Sequence, residues 1–192
     1  LFIMIIFWCE FPREDKWNKI KKEIDFKTEI YVTCRDKKEF DFWNNKIKTK
    51  HIDVGAWPTL SKDEGYWFSG FTKKESIDKL DQFSGLKVKV DIEPPIWKGK
   101  FSTGKTVNYI LYHIIKKGKN NEYLKNKIEK LKFQPIVSGF LLPRFLRKRF
   151  GDDIKEKKNY MCYTSFSPRY LRWLVRFLYF IIVKNMDKEN YY

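Results

Sequence analysis

The feature that most narrows what this chain can fold into is an alternation of two patterns. Short apolar runs rich in β-formers alternate with Lys/Glu-rich stretches whose apolar residues recur at spacings of three and four. The runs predict strands over Phe2–Cys9, Glu29–Cys34, Ile52–Trp57, Tyr66–Phe71, Leu86–Ile92, Phe133–Phe140 and Tyr160–Ser165. The periodic stretches predict helices over Glu14–Ile24, Lys37–Lys48, Lys73–Phe83, Val107–Lys117, Asn121–Leu131 and Arg169–Lys184. Local signals punctuate the pattern. Pro58 and the pair Pro94-Pro95 stop strands, because proline cannot donate to a ladder. Thr72 with Glu75 three residues on reads as a capping box opening a helix.

Strands separated by helices pair in parallel. The continuous apolar runs at Phe2–Cys9, Ile52–Trp57 and Phe133–Phe140 suit strands buried on both faces. The expected architecture is therefore α/β, a TIM-barrel-like (β/α) fold of about seven strands. It would be short or incomplete, since full eight-fold barrels are usually longer. No repeat or linker interrupts the chain, so residues 1–192 are read as one barrel-like domain. An open doubly wound sheet is the alternative, but no strand is followed by a Gly-rich phosphate loop. Phe101–Thr106 ends in Gly-Lys-Thr yet lacks the earlier glycine that such a loop requires.

The net charge of +16 invites a nucleic-acid reading. Against it, the lysines are scattered through every helical stretch, as solvated faces would place them. The concentrated basic cluster is Arg144, Arg147, Lys148 and Arg149, which could contact an anionic surface weakly. Arg169, Arg172 and Arg176 form a stripe on an otherwise apolar helix, read as a helix closing the barrel with its arginine stems reaching outward. No run is long enough to span a bilayer. Cys9, Cys34 and Cys162 are far apart and lack metal or disulfide spacing, which suits a reducing, cytoplasmic setting. His51 and His113 belong to no ligand pattern, so neither metal nor cofactor is expected.

In a parallel α/β fold, function gathers at the carboxyl ends of the strands. That rule selects Glu10, Arg35, Trp57, Asp91, Glu93, Ser138 and Ser165. Residues two apart on a strand share a face, so Asp91 and Glu93 point the same way. Neighbouring carboxylates raise one another's pKa, leaving one protonated as an acid and the other charged. Glycoside hydrolysis needs this division of labour. Lys87 and Lys89 share that face, and a structural ion-pair ladder is the rival reading. Glu10 either faces the pocket or pairs with Arg35. The aromatics Trp57, Tyr66, Trp67 and Trp97 crowd the same rim and would stack on sugar rings.

The Asp91-Ile92-Glu93 strand terminus, with Glu10 and Trp57 at other strand ends, resembles TIM-barrel glycoside hydrolases that carry an Asp-x-Glu terminus. The resemblance implies that Glu93 is the proton donor and Asp91 its modulator. The chain departs from the chitinase-like pattern at Lys87 and Lys89, where that family carries acidic or small residues. The functional expectation is a hydrolase acting on a carbohydrate-like substrate. Catalysis falls to Glu93, Asp91 and Glu10, and binding to Trp57, Tyr66, Trp67, Arg35 and Trp97. The alternative is a non-catalytic basic module on nucleic acid or an anionic membrane surface.

Overall fold

The computed structural model describes residues 5–95, 112, 115–131, 135–140, 147–152, 158–161, 172, 173, 176, 177, 180 and 181. Six strands alternate with helices: β1 (Ile5–Cys9), α1 (Glu14–Glu23), β2 (Thr28–Cys34), α2 (Lys37–Ile47), β3 (Ile52–Pro58), α3 (Lys74–Ile77), β4 (Lys89–Ile92), α4 (Asn121–Glu129), β5 (Ile136–Phe140) and β6 (Lys158–Met161). They form two three-stranded sheets, β1-β2-β3 and β4-β5-β6, in which every pairing is parallel. The sheets abut where Ala56 bridges Val88 and the Ala56 amide donates to the Lys87 carbonyl at 2.8 Å.

The expected seven-strand barrel is not what forms. Among the described residues no ladder joins β1 to β6, and the architecture is a pair of small parallel sheets with helices, not a closed barrel. The candidate strand Tyr66–Phe71 fails for a local reason. Gly65 (φ 108°) and Tyr66 (φ 64°) are both left-handed, and Ser69 and Thr72 fold the next residues into a turn. Only Phe68 makes an isolated bridge, to Ile92. Side chains from non-adjacent strands meet on one face: the Lys89 ammonium on β4 sits 4.7 Å from the Trp8 ring on β1.

Two further expectations need correcting. Phe2–Cys9 is read from sequence as doubly buried, but within β1 Ile5, Phe7 and Trp8 are all exposed. Among the described residues β1 is an edge, paired on one side alone. β2 and β4 are buried at every position; in β2, Ile30, Val32 and Cys34 pack beneath helices and Glu29, Tyr31 and Thr33 are covered on the opposite face. The helix expected over Lys73–Phe83 is a four-residue α-turn, Lys74–Ile77, continued as a 3-10 helix over Asp78–Phe83. Its N-cap is Lys73, without a side-chain cap. The capping box occurs earlier, between Ser61 and Glu64.

The larger core lies on the helix-covered face. Ile30, Val32, Ala56, Val88, Val90, Ile92 and Val137 from the strands meet Trp17, Phe40, Ile47, Leu80, Leu124 and Ile128 from the helices and turns. α2 is started by Asp36, whose side chain accepts from the Glu39 amide at 2.7 Å, satisfying a donor that the first turn leaves orphaned. α1 carries Glu14 and Asp15 in its first turn and Lys21 and Lys22 in its last, matching the helix dipole. Asn121 fastens the base of α4: its amide donates to the Lys148 and Arg149 carbonyls at 2.9 and 3.2 Å. The packing there leaves no room for a Cβ at Gly70 or Gly118.

Candidate functional site

The period of two that sends Val88, Val90 and Ile92 to the core sends Lys89, Asp91 and Glu93 to the other face of β4. The same alternation delivers Trp8 and Glu10 from β1 and its end, Glu29, Tyr31 and Thr33 from β2, Trp57 from β3, and Ile136 and Ser138 from β5. Asp91 and Ser138 are register partners. A second cluster, formed by Tyr31, Trp57, Trp67 and Ile136 with Ile6 and Tyr66, packs on this face. The Trp57 and Trp67 rings stack at 5.6 Å between centroids, and Tyr66 meets Trp67 edge-on at 4.5 Å.

Asp91 is wholly buried and Glu93 nearly so, at 0% and 5% exposure. Lys89, 1% exposed, lies 2.8 Å from the Asp91 carboxylate and 3.3 Å from the centre of the Trp57 ring. Burial pushes the Lys89 ammonium below its ordinary pKa; Asp91, Glu93 and Glu10 pull it back up. The ion-pair ladder read from sequence as the rival to catalysis is therefore formed in part. Lys89 pairs with Asp91, and Lys87 pairs with Glu29 and, at 3.7 Å, with Asp53.

Glu10 is half-buried and held above the usual carboxylate range. Burial is the main cause and the charge of Asp91 adds to it, while Lys89 and a hydrogen bond from the Tyr66 hydroxyl oppose it. Tyr66 is in turn pushed up to about 12 by burial and by the charge of Glu10. The charge of Asp91 thus reaches Glu10, 81 positions away in sequence. Tyr66 has a left-handed backbone, a conformation that costs a non-glycine residue on the order of 1–3 kcal/mol and that clusters at functional sites.

Glu10, Arg35, Glu39, Trp43, Lys62 and Tyr66 line a cleft of about 490 Å³ at the carboxyl ends of β1, β2 and β3. Arg35 does not pair with Glu10. Its guanidinium lies 3.3 Å from Glu39, one turn along the chain. Away from the cleft lining, the Trp57 indole nitrogen and the Ser138 hydroxyl are buried without a hydrogen-bond partner among the described residues.

Of the residues predicted from sequence, the fold gathers Glu10, Asp91, Glu93, Trp57, Tyr66 and Trp67 on one face, with Arg35 at the cleft rim. Trp97, Ser165 and Arg144 lie outside the described residues. Arg147 is buried at 6% exposure, and Arg149 ties chain segments together by donating to the Ile115 carbonyl. Sequence reasoning left out Lys89, Trp8 and Tyr31 as parts of the site. The signal for the first two was present, since alternation places Lys89 beside Asp91 and Trp8 beside Glu10. Cys34 is inert, its thiol pushed up to about 12 by burial. Among the described residues no group of His, Cys, Asp and Glu is arranged to hold a metal, and no helix is long and apolar enough to cross a membrane. No family profile, curated protein or solved structure matches this chain.

Proposed function

We propose that this protein is a hydrolase that cleaves a carbohydrate-like substrate with carboxylates brought from separate strands. The observation that carries the reading is Glu10, a carboxyl group at the mouth of an aromatic-edged cleft. Burial and the charge of Asp91 hold it above its ordinary range. A carboxyl group raised in this way stays protonated where its neighbours are ionised, and can donate to a leaving oxygen. Glu93, which follows β4, is the second carboxylate, and the Lys89–Asp91 pair sets the local charge. This arrangement moves the proton donor from Glu93 to Glu10, because Glu10 borders the cleft and Glu93 is enclosed.

Phe11, Trp43 and Tyr66 line the cleft and supply flat rings of the kind on which sugars stack, while Trp57 and Trp67 are buried and stack on one another. The test is release of reducing ends from a panel of soluble polysaccharides and aryl glycosides. Glu10→Gln and Glu93→Gln should each lower turnover by about two orders of magnitude or more while the protein stays folded. A Glu10→Gln protein that cleaves as fast as the parent, or a parent that cleaves nothing on the panel, overturns the reading.

A further inference from the structure

A different surface carries an inference independent of the cleft. Arg172, Trp173, Arg176, Phe177, Phe180 and Ile181 are helical and all are exposed. At about 100° per residue these positions fan over a single side of a helix. Trp173 is 68% exposed, Phe180 64% and Phe177 54%. Three large aromatic side chains open to water on one helical face are not what a protein surface ordinarily presents, and a contiguous patch of this sort marks a surface that something else covers.

The sequence narrows what covers it. From 171 to 183 the only charged residues are Arg172 and Arg176, and both stand among the aromatic rings. That run is shorter than the roughly 20 apolar residues needed to cross a bilayer. Tryptophan and phenylalanine interleaved with arginine suit the boundary of a bilayer, where rings sink to headgroup depth and guanidinium groups meet lipid phosphates. The whole chain carries a net charge of +16, which favours a partner of opposite sign. In the cluster Arg147–Arg149, Arg147 is buried and Arg149 is engaged with Ile115, while Lys148 is exposed. We propose that this helical face docks the protein on an anionic membrane surface, lying in the interface without crossing it.

Flotation of the full chain with two kinds of vesicle tests this, one of phosphatidylcholine mixed with phosphatidylserine and one of phosphatidylcholine alone. The parent protein should float with the mixed vesicles, bind the neutral ones more weakly, and lose affinity as salt is raised. Arg176→Gln should weaken binding to the mixed vesicles about fivefold. Replacing Trp173, Phe177 and Phe180 together with serine should weaken binding to both kinds more than tenfold. These side chains are exposed, so the triple variant should keep the parent's unfolding midpoint. Equal vesicle binding by parent and triple variant overturns the proposal. So does failure of the parent to float at low salt. Self-association that the triple variant abolishes, in a protein that ignores vesicles, overturns it in favour of a second copy of the chain. Binding to duplex nucleic acid through the same rings, again without vesicle binding, overturns it in favour of a polynucleotide.

Discussion

Lys89 and Asp91 stand two residues apart on β4 and close a buried ion pair at 2.8 Å, with the ammonium lying over Trp57. Neither side chain exposes more than 1% of its surface. Removing two charges from water costs several kcal/mol per ion, which their attraction repays only while both are present. The pair is therefore a poor source of net stability and a strong constraint on the site. It fixes the charge beside Glu10 and Glu93, and the aromatic rings of Trp8 and Trp57 lie against it.

Breaking one half should cost more than removing both. Asp91→Asn leaves a buried ammonium facing the Trp57 ring, and Lys89→Met leaves a buried carboxylate. Each should lower unfolding free energy by roughly 3–5 kcal/mol. The double variant Lys89→Met/Asp91→Leu should recover most of that loss. Urea denaturation of the four proteins checks this. If the double variant is destabilised by the sum of the single changes, the two groups do not act as a pair.

The Glu10–Tyr66 contact predicts a shift in pH dependence. In the proposed reaction Glu10 would act as an acid only while protonated, so turnover should decline as pH rises through its elevated pKa. The hydrogen bond from Tyr66 favours the charged form. Tyr66→Phe removes it, so the pKa of Glu10 should climb further and the alkaline limb of the rate profile should move to higher pH. Carbon-13 titration of the Glu10 carboxyl reads the same shift without requiring a substrate. A limb that moves to lower pH would refute the assignment.

Gly55 marks a close approach that no side chain can share. A Cβ there would lie 2.5 Å from Tyr31 Cδ1, inside the edge of the ring. Gly55 and Tyr31 are register partners, and Trp8 pairs with Tyr31 from the other side. Gly55→Ala should therefore push the Tyr31 ring toward Trp8, with a loss of about 1–3 kcal/mol, typical of overpacking. Chemical denaturation measures the loss. Tyr31→Ala in the same background should relieve the clash, so the two changes should combine to less than their sum.

The strand–helix alternation was legible because each element's pattern is local. β2, α1 and α2 lie where the periods of two and of about 3.6 place them, and Trp17, Phe40 and Ile47 face the core as their spacing requires. Barrel closure was not legible, since it depends on which strand edges meet and no residue pattern records that. Tyr66–Phe71 misled because its apolar content suits a strand, whereas the backbone of Gly65 and Tyr66 turns the chain away. The rule that parallel strands present their ends together picked out Glu10, Asp91 and Glu93, of which Glu10 lines the cleft and the other two are buried. The Lys89–Asp91 lock was visible only as a shared face, because pairing of two long side chains depends on what buries them. The burial of Arg147 left no trace in a run of basic residues.

Glu64 offers the clearest acid-sensitive bond in the fold. It closes the capping box with Ser61, accepts from the Ser76 hydroxyl at 2.6 Å, and pairs with Lys79 at 2.7 Å. Burial alone would raise its pKa. The hydrogen bonds from Lys79, Ser76 and Ser61 outweigh that and bring it down to about 2 from an ordinary 4.5. A carboxylate with a depressed folded-state pKa contributes stability that is complete above the unfolded value and lost as pH falls toward the folded one. The contribution at neutral pH is bounded at about 3 kcal/mol, reduced by the partial exposure of the side chain. Glu64→Gln should therefore destabilise the parent by about 1–3 kcal/mol at pH 7. The gap between the two proteins should narrow from pH 4.5 downward and nearly close by pH 2. Urea midpoints measured across that interval check the sign, and a gap that widens on acidification would show that the carboxylate is not what anchors Ser61, Ser76 and Lys79.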